Sequence, residues 1–115
     1  MKTIIHHGGL YLADLRPSQG TEPGKLRPVI VVQSDLLNEA EHSSTWVLPC
    51  TTRISGENVL RVALPRGMAG NTAECEVMID QGRAIDNRRF KRLLGAVPRP
   101  VLREIKEKLR RLGDF

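Results

Sequence analysis

A small β-barrel covered by one helix is the fold class that this 115-residue sequence predicts. Residues 29–32 (VIVV) are four consecutive branched aliphatics, which suit a strand that is buried on both faces. Other short strand-like segments are separated by connections rich in proline, glycine and polar residues. Clear helical periodicity is confined to the C-terminal segment. A chain of this length builds one modest core, so we expect a single domain over residues 1–115.

Two strands and a long connection are predicted in the first third of the chain. Residues 10–15 form the first strand, and residues 16–26 connect it to the buried central strand. The connection contains two prolines and two glycines and is longer than a tight hairpin needs. Long connections in compact domains often carry function. Pro28 has no amide hydrogen to donate, so we place it at the first residue of the central strand.

A short helical turn and a third strand follow the central strand. Asp35 is placed to N-cap the turn, because its carboxylate can accept backbone amide hydrogens. Residues 45–52 form the third strand, in which Pro49 predicts a bulge or an edge position. Trp46, the single tryptophan, is expected to anchor the core.

Two more strands are predicted over residues 58–64 and 74–85, the second with clear alternation. One side of the second strand is apolar and should face the core, and the other side should face solvent. Three carboxylates on the wet side suggest a metal site, but residues two apart on a strand stand roughly 7 Å from each other, which is awkward for one ion. The apolar set is Cys75, Val77 and Ile79, and the wet set is Glu74, Glu76, Met78 and Asp80.

The chain ends in a predicted amphipathic helix. Pro100 suits its first turn, and Gly113 is expected to end it. Two acidic residues each precede a basic residue by four positions, which stabilises a helix. The apolar stripe comprises Leu102, Ile105, Leu109 and Leu112, and the ion pairs are Glu104 with Lys108 and Glu107 with Arg111.

Composition excludes several classes of protein. No run approaches the roughly 20 apolar residues of a membrane span, and the N-terminus lacks the apolar core of a signal peptide. We therefore expect residence in the cytoplasm and no membrane partner. Cys50 and Cys75 lack metal-ligand spacing and are expected to be buried thiols. No metal or cofactor is predicted.

The positive charge of the chain is concentrated near its C-terminus. The net charge is +5, yet ten Lys/Arg against two Glu give residues 88–113 a net charge of +8. Eight Lys/Arg against ten Asp/Glu leave residues 1–87 at −2. A solvated helix face and a surface for nucleic acid or an acidic protein both fit this distribution, and charge alone does not decide between them.

Four polar residues lie at or near the predicted strand ends: Glu22, Arg27, Thr51 and Thr52. Arg27 and Thr51 become neighbours if the second and third strands pair antiparallel. A carboxylate base, a fork of guanidinium donors and a hydroxyl donor suit cleavage of RNA by its own 2′-hydroxyl. The residues alone favour a simpler alternative, in which Glu22 and Arg27 form a salt bridge and the threonines satisfy a turn.

Four segments resemble the MazF/PemK (Kid) family of toxin endoribonucleases, and they occur in the family's order over nearly the whole chain. The segment with the pattern Gly-x-Glu-x-x-x-x-Arg-Pro, within residues 20–33, is the most specific. The resemblance implies an SH3-like barrel of the CcdB/Kid/MazF type with a C-terminal helix. The segments are residues 9–15 (GLYLADL), 20–33 (GTEPGKLRPVIVVQ), 49–52 (PCTT) and 80–86 (DQGRAID).

The resemblance also implies an activity and partners. Family members are homodimers that cut single-stranded RNA without a metal, leaving 2′,3′-cyclic phosphate and 5′-hydroxyl ends. An antitoxin of the MazE type, with an acidic tail, is the implied inhibitor. Arg27 and Thr51 match the catalytic arginine and threonine of the family, and Glu22 matches a glutamate proposed as base or RNA contact. RNA contacts are expected at Thr21, Lys25, Thr52, Arg53 and Gln81.

Two departures from the family pattern lie near the expected RNA groove. Glu74, Cys75 and Glu76 stand where many relatives have an Asp-Ser or similar pair, and Gly82 replaces a usual aliphatic residue. Base preference is the property that these departures affect. Two rival functions stay open, namely a CcdB-like toxin that binds gyrase without cutting and an RNA- or protein-binding barrel without catalysis. The 3% aromatic content weakens the second rival, because base stacking needs aromatic rings.

Overall fold

A bent antiparallel sheet and one long helix form the protein. The structure is a computed structural model that describes residues 4–15 and 26–115. The strands run in the order β4-β5-β3-β2-β1-β7, and β6 also pairs with β3. The strands are β1 (Gly9–Asp14), β2 (Leu26–Val31), β3 (Ser44–Thr51), β4 (Arg61–Leu64), β5 (Cys75–Met78), β6 (Arg83–Asp86) and β7 (Phe90–Ala96), and the helices are α1 (Asp35–Glu39) and α2 (Arg99–Gly113).

The central strand is buried on both faces, as predicted. Ile30 and Val32 belong to the core inside the barrel, whereas Val29 and Val31 belong to a second apolar cluster on the other face of the sheet. Val29, Ile30 and Val31 are fully buried. The barrel core also contains Leu10, Leu48, Val62, Leu64, Val77 and Ile105, and the second cluster contains Tyr11, Ala13, Val47, Ile85 and Phe90.

Two glycines bring the edges of the sheet together. A Cβ on Gly70, in the loop after β4, would lie 2.1 Å from the carbonyl oxygen of Leu94 in β7. A Cβ on Gly95 would lie 2.3 Å from the carbonyl oxygen of Ala69. Backbone therefore packs directly on backbone where the loop after β4 meets β7, and this contact closes the barrel.

The C-terminal helix covers the barrel core, as its periodicity predicts. Ile105 is fully buried, while Leu102 and Leu109 pack partly buried against the core. The ion pairs from Glu104 to Lys108 and from Glu107 to Arg111 both form. The helical end differs from the prediction, because Asp114 rather than Gly113 adopts the left-handed conformation of the C-cap.

The strand predictions need three corrections. The expected strand 74–85 is two strands separated by the 3₁₀ turn Ile79–Gln81, because β5 pairs with the end of β3 and β6 with its beginning. Strand β7 was not predicted, since only one of its first four residues is buried and no alternation is visible. The predicted fourth strand is shorter and covers only Arg61–Leu64.

Several single-residue predictions are also settled by the structure. Trp46 is 39% exposed and does not anchor the core, because it lies at the rim where β3 pairs with β6. Ser34 caps α1, and Asp35 instead accepts the amide hydrogen of His7 at 2.7 Å. β2 begins at Leu26, two residues before Pro28. Pro49 pairs with Val29 of β2 and, on its other side, sits where β3 passes from β6 to β5, an edge position as expected.

The two cysteines are free and buried, as predicted. A hydrogen bond to Cys75, together with burial, raises the pKa of the Cys50 thiol. Within the described ranges, none of the helices is long and apolar enough to cross a bilayer.

Candidate functional site

The register between β2 and β3 brings Arg27 and Thr51 together. Val29 pairs with Pro49 and Ile30 with Leu48 in antiparallel register. Continued by two residues, this register places Arg27 opposite Thr51. Side chains of opposite residues point to the same face of a sheet, with Cβ atoms roughly 5 Å apart. The antiparallel pairing of β2 with β3, on which the expected adjacency depends, is therefore present in the fold.

The row that contains these two residues extends across the sheet. Thr51 pairs with Glu76 of β5, and Arg27 pairs with Ala13 of β1. With the β2–β3 register continued, Glu76, Thr51, Arg27 and Ala13 form one row across four neighbouring strands, all on the same face. Neighbouring strands are about 4.8 Å apart, so Arg27 and Glu76 are separated by two strand spacings.

The guanidinium of Arg27 is the most available donor group of this row. Its residue is half-buried, as is Pro28 after it, and the strand is fully buried from Val29 to Val31, so its backbone is held rigidly. Within residues 4–15 and 26–115, Arg27 forms no ion pair and no side-chain hydrogen bond. Nothing in the described part of the chain thus occupies its five N–H donors, which form a planar fork that can meet an anion such as a phosphate.

The hydroxyl oxygen of Thr51 accepts one hydrogen bond, and the hydroxyl hydrogen stays available to donate another. Its Oγ1 accepts the backbone amide hydrogen of Arg53 at 3.1 Å. This is the turn contact that the simpler alternative expects. It orients the hydroxyl oxygen and leaves its hydrogen to donate elsewhere, so the turn contact and a role as donor are compatible.

Glu76 is buried rather than wet, which corrects the sequence prediction. Its residue is 3% exposed, and its carboxylate accepts hydrogen bonds from the segment that follows β3. Burial pushes the pKa of Glu76 upward, but hydrogen bonds from the backbone of Ser55 and Gly56, the Ser55 hydroxyl and Arg61 outweigh burial. The net result is a pKa below the ordinary value of a glutamate.

The remaining predicted residues are spread more widely. Thr52 and Arg53 are exposed directly after Thr51. Gln81 is exposed in the 3₁₀ turn between β5 and β6, on the side of β3 away from β2, so the fold does not bring it beside Arg27. Thr21, Glu22 and Lys25 lie outside the described residues, and their roles stay predictions.

Two other surface features lie apart from Arg27 and Thr51. A cleft of about 470 Å³ between the N-terminal segment and α1 is lined by neither of them. The outer face of α2 carries a row of four exposed cations spaced at helical intervals, which we call the basic stripe: Arg99, Arg103, Lys106 and Arg110. Among the described residues, no three His, Cys, Asp or Glu side chains are placed to hold a metal ion.

Sequence reasoning missed Glu76 and its partners as parts of this region. The signal that could have revealed them is the pairing of β4 with β5. Ala63 pairs with Glu76, and Arg61 stands two residues from Ala63 on the same face. Long side chains reach such diagonal neighbours, so a correct strand pairing would have predicted the Arg61–Glu76 contact.

Comparison with known proteins identifies the family. The model of a family described as "PemK-like, MazF-like toxin of type II toxin-antitoxin system" matches residues 6–113. Endoribonuclease MazF of Staphylococcus saprophyticus is 29% identical over 104 residues, covering 89% of this chain and 85% of that protein. Crystalline MazF (Form-I) from Deinococcus radiodurans superposes with a TM-score of 0.83 at 27% identity, covering 99% of this chain and 100% of that one.

A second structure from the same organism, MazE-MazF (Form-II), gives a TM-score of 0.80 at 28% identity and covers 99% of both chains. These neighbours confirm the predicted mainly β barrel with a C-terminal helix. The family match covers nearly the whole chain and agrees with the motifs found in the sequence. The chain therefore belongs to the PemK-like, MazF-like family of toxins of type II toxin–antitoxin systems.

Proposed function

We propose that this toxin is an endoribonuclease that cuts single-stranded RNA, with messenger RNA as its main substrate. The observation that carries the proposal is the guanidinium of Arg27, which has no ion pair or side-chain hydrogen bond within the described residues and lies on a strand whose continued register points it at Thr51. Anion binding by preorganised donors is what a phosphoryl-transfer site needs, since charge develops on the phosphate oxygens. The relative from Staphylococcus saprophyticus, named an endoribonuclease, supports the same reaction.

The proposed reaction is a transesterification. The 2′-oxygen of a ribose attacks the adjacent phosphorus and the bond to the 5′-oxygen breaks, which leaves a 2′,3′-cyclic phosphate and a 5′-hydroxyl. Arg27 donates to the phosphorane oxygens, and the Thr51 hydroxyl donates to a non-bridging oxygen. Glu22 is the proposed base that takes the proton of the 2′-hydroxyl, and the departing 5′-oxygen takes up a proton from water. No metal or cofactor takes part in this proposal.

RNA contacts beyond the reacting phosphate are proposed at Thr52 and Arg53, which are exposed next to Thr51. Thr21, Lys25 and Gln81 complete the proposed RNA-binding set. The basic stripe supplies a sequence-independent attraction for the RNA backbone. Base preference would then depend on the residues around the groove rather than on Arg27 or Thr51.

The proposed partners are a second copy of this chain and an antitoxin of the MazE type. MazE-MazF complexes from Deinococcus radiodurans match this chain over nearly its full length. An antitoxin with an acidic tail suits the net charge of +8 over residues 88–113. Binding of that tail over the groove would block RNA and hold the toxin inactive.

Cleavage of a long single-stranded RNA in EDTA tests the proposal. The parent protein should make site-restricted cuts with cyclic-phosphate ends, and Arg27→Ala or Thr51→Ala should lower kcat/KM by roughly 10²- to 10³-fold each. Arg88→Ala is a matched control that removes the same charge from an exposed site, where Arg88 pairs with Asp86. The control should cleave within about threefold of the parent, because exposed ion pairs contribute little to stability.

An intact RNA after incubation with folded parent protein would refute the ribonuclease proposal. The CcdB-like function, binding of gyrase without cutting, would then lead. Retention of binding to RNA without cuts would instead favour the non-catalytic binding barrel. Mapping the cut ends of a successful reaction gives the recognition sequence.

A further inference from the structure

The buried carboxylate of Glu76 holds the middle of the segment between β3 and β4, and the exposed Glu57 accepts from the amides of Val59 and Leu60 at its end. Residues 52–60 contain no strand, yet the backbone amides near the middle of this segment have partners. Glu76 Oε1 accepts from the amide of Ser55 at 3.1 Å and from its hydroxyl at 3.0 Å. Glu76 Oε2 accepts from the amide of Gly56 at 3.0 Å. We call residues 52–60 the anchored loop.

A fourth bond ties the same carboxylate to the sheet edge. Arg61, the first residue of β4, donates to Glu76 Oε1 at 3.1 Å with its side chain 26% exposed. In all four bonds the neighbouring group donates and a Glu76 oxygen accepts. An ionised carboxylate suits this arrangement, because it can accept from all four donors. A glutamine could offer one carbonyl oxygen but would direct an amide group at a further N–H donor.

The anchored loop begins at the proposed RNA site. Thr52 and Arg53 are its first two residues, and the amide of Arg53 donates to Thr51 Oγ1. Glu76 is the strand partner of Thr51 in the row that also contains Arg27. The same residue thus stands beside Thr51 in the sheet and fixes the loop that leaves Thr51.

We propose that Glu76 is a positioning residue for the RNA site, which holds Thr51, Thr52 and Arg53 in place through its bonds to Ser55 and Gly56. This inference rests on the proposed function. Glu76 does not meet RNA itself, because its oxygens are occupied and its residue is buried. Its effect on cleavage passes through the position of the loop, and Arg27 on β2 is not part of this connection.

Glu76→Gln is the direct test, with Glu74→Gln as its matched control. Glu74 lies two residues away and is exposed. Hydrogen exchange of the Ser55 and Gly56 amides should accelerate at least tenfold in Glu76→Gln, while the amides of β1 and β2 keep the parent rates. Trypsin should also cut faster after Arg53. Glu74→Gln should match the parent in both measurements.

RNA cleavage by the same variants tests the functional half of the proposal. A misplaced loop should lower kcat/KM of Glu76→Gln by roughly 10- to 100-fold, measured where the variant is fully folded. Because Thr52 and Arg53 are proposed to bind RNA before and during the reaction, KM should rise more than kcat falls. A role in stability alone would leave both constants unchanged for the folded fraction.

Ser55→Ala approaches the same contact from the loop. It removes the hydroxyl of an exposed residue, and with it the bond to Glu76 and the one that Ser55 Oγ accepts from the Glu57 amide at 3.2 Å, but it leaves the carboxylate, Gly56 and Arg61 in place. It should give a smaller change of the same kind, with a raised KM and faster exchange at residues 55 and 56. This variant decides the question if Glu76→Gln does not fold.

Three results would overturn the proposal. One is a loosened loop with parent-like kcat and KM, and another is accelerated exchange throughout the sheet with cleavage lost only in proportion to unfolding. The third is parent-like exchange at Ser55 and Gly56 in Glu76→Gln. If the parent itself cuts no RNA, the proposed function fails, whereas the exchange and trypsin measurements still decide whether Glu76 holds the loop.

Discussion

Two arginines near strand ends are used in opposite ways by this protein. Arg61 opens β4 and donates to the buried carboxylate of Glu76 at 3.1 Å. Arg27 lies near the start of β2, and the described part of the chain offers it no ion pair. Both side chains stand on the same face of the sheet as Glu76. Arg27 lies in the same row as Glu76, and Arg61 lies diagonal to it.

The difference shows how charge is divided between structure and site. A cation that faces a buried carboxylate is neutralised, and breaking such a pair leaves an uncompensated charge in a dry place. A half-buried cation without a partner keeps its hydrogen-bond donors for a ligand. Because the cation is partly removed from water, it attracts an incoming anion more strongly. The pairing around Arg61 therefore indicates a structural role, whereas Arg27, which has no ion pair within the described residues, fits the role proposed for it.

The same substitution at both arginines gives the sharpest contrast and the largest expected effect. Arg27→Lys keeps the charge but loses the planar fork, and kcat/KM for RNA should fall roughly 100-fold with little change in Tm. Arg61→Lys keeps a cation for Glu76 and should cleave within about threefold of the parent. Steady-state cleavage and thermal unfolding measure both effects. Equal losses of activity in the two variants would remove the distinction between the two arginines.

The contact between β7 and the loop after β4 gives the next largest effect, on stability alone. Gly95→Ala places a Cβ 2.3 Å from the Ala69 carbonyl oxygen, and backbone on both sides cannot give way as a side chain would. We expect a loss of roughly 3 kcal/mol in the free energy of unfolding, as for severe overpacking. Gly67→Ala is the control, since Gly67 has φ +82° but open space around its Cβ position.

Gly67→Ala should lose only about 1 kcal/mol, the usual cost of the left-handed conformation for a residue with a Cβ. Urea unfolding of the two variants separates the steric effect from the conformational one. A Gly95→Ala variant as stable as Gly67→Ala would mean that β7 moves away freely, and the barrel closure would then lie elsewhere.

Acid titration of stability tests the carboxylate side of the Arg61 contact. The pKa of Glu76 is lowered in the folded state, so its stabilising contribution is complete above the ordinary glutamate pKa of 4.5. The contribution is lost as the pH falls from there through the lower folded pKa. Urea midpoints of the parent should therefore decrease over this range, and Glu76→Gln should be less stable at neutral pH with a shallower decrease.

The sequence predicted those parts of the fold that depend on local pattern. The composition of residues 29–32 predicts a strand buried on both faces, and the spacing of the apolar residues in α2 predicts its apolar stripe. The adjacency of Arg27 and Thr51 followed from one assumption, antiparallel pairing of consecutive strands. Roles at Glu22 still rest on family resemblance, because its loop lies outside the described residues.

Features that depend on non-local covering escaped prediction. Alternation correctly assigned Glu76 to the face opposite Val77, but it could not show that the anchored loop folds over that face. Trp46 was expected in the core because of its size, and its exposure follows from a position at the rim of β3. Strand β7 escaped because its partner β1 lies some 80 residues earlier and its register is irregular at two points.

The exposed ion pair between Glu107 and Arg111 should give the smallest effect and complete the contrast with Arg61. Its Nε–Oε1 distance is 3.4 Å, and the two side chains are 46% and 78% exposed. Water and salt screen such a pair, so Glu107→Gln should lower the free energy of unfolding by only about 0.3–0.5 kcal/mol. Addition of 1 M salt should erase this difference, because the screening length falls to roughly 3 Å.

Arg61→Gln should also lower the free energy of unfolding, and most of that decrease should remain in 1 M salt, since the partner carboxylate of Arg61 is buried. Equal salt sensitivity of the two variants would show that the Arg61 contact is open to solvent and would weaken its assignment as the structural arginine.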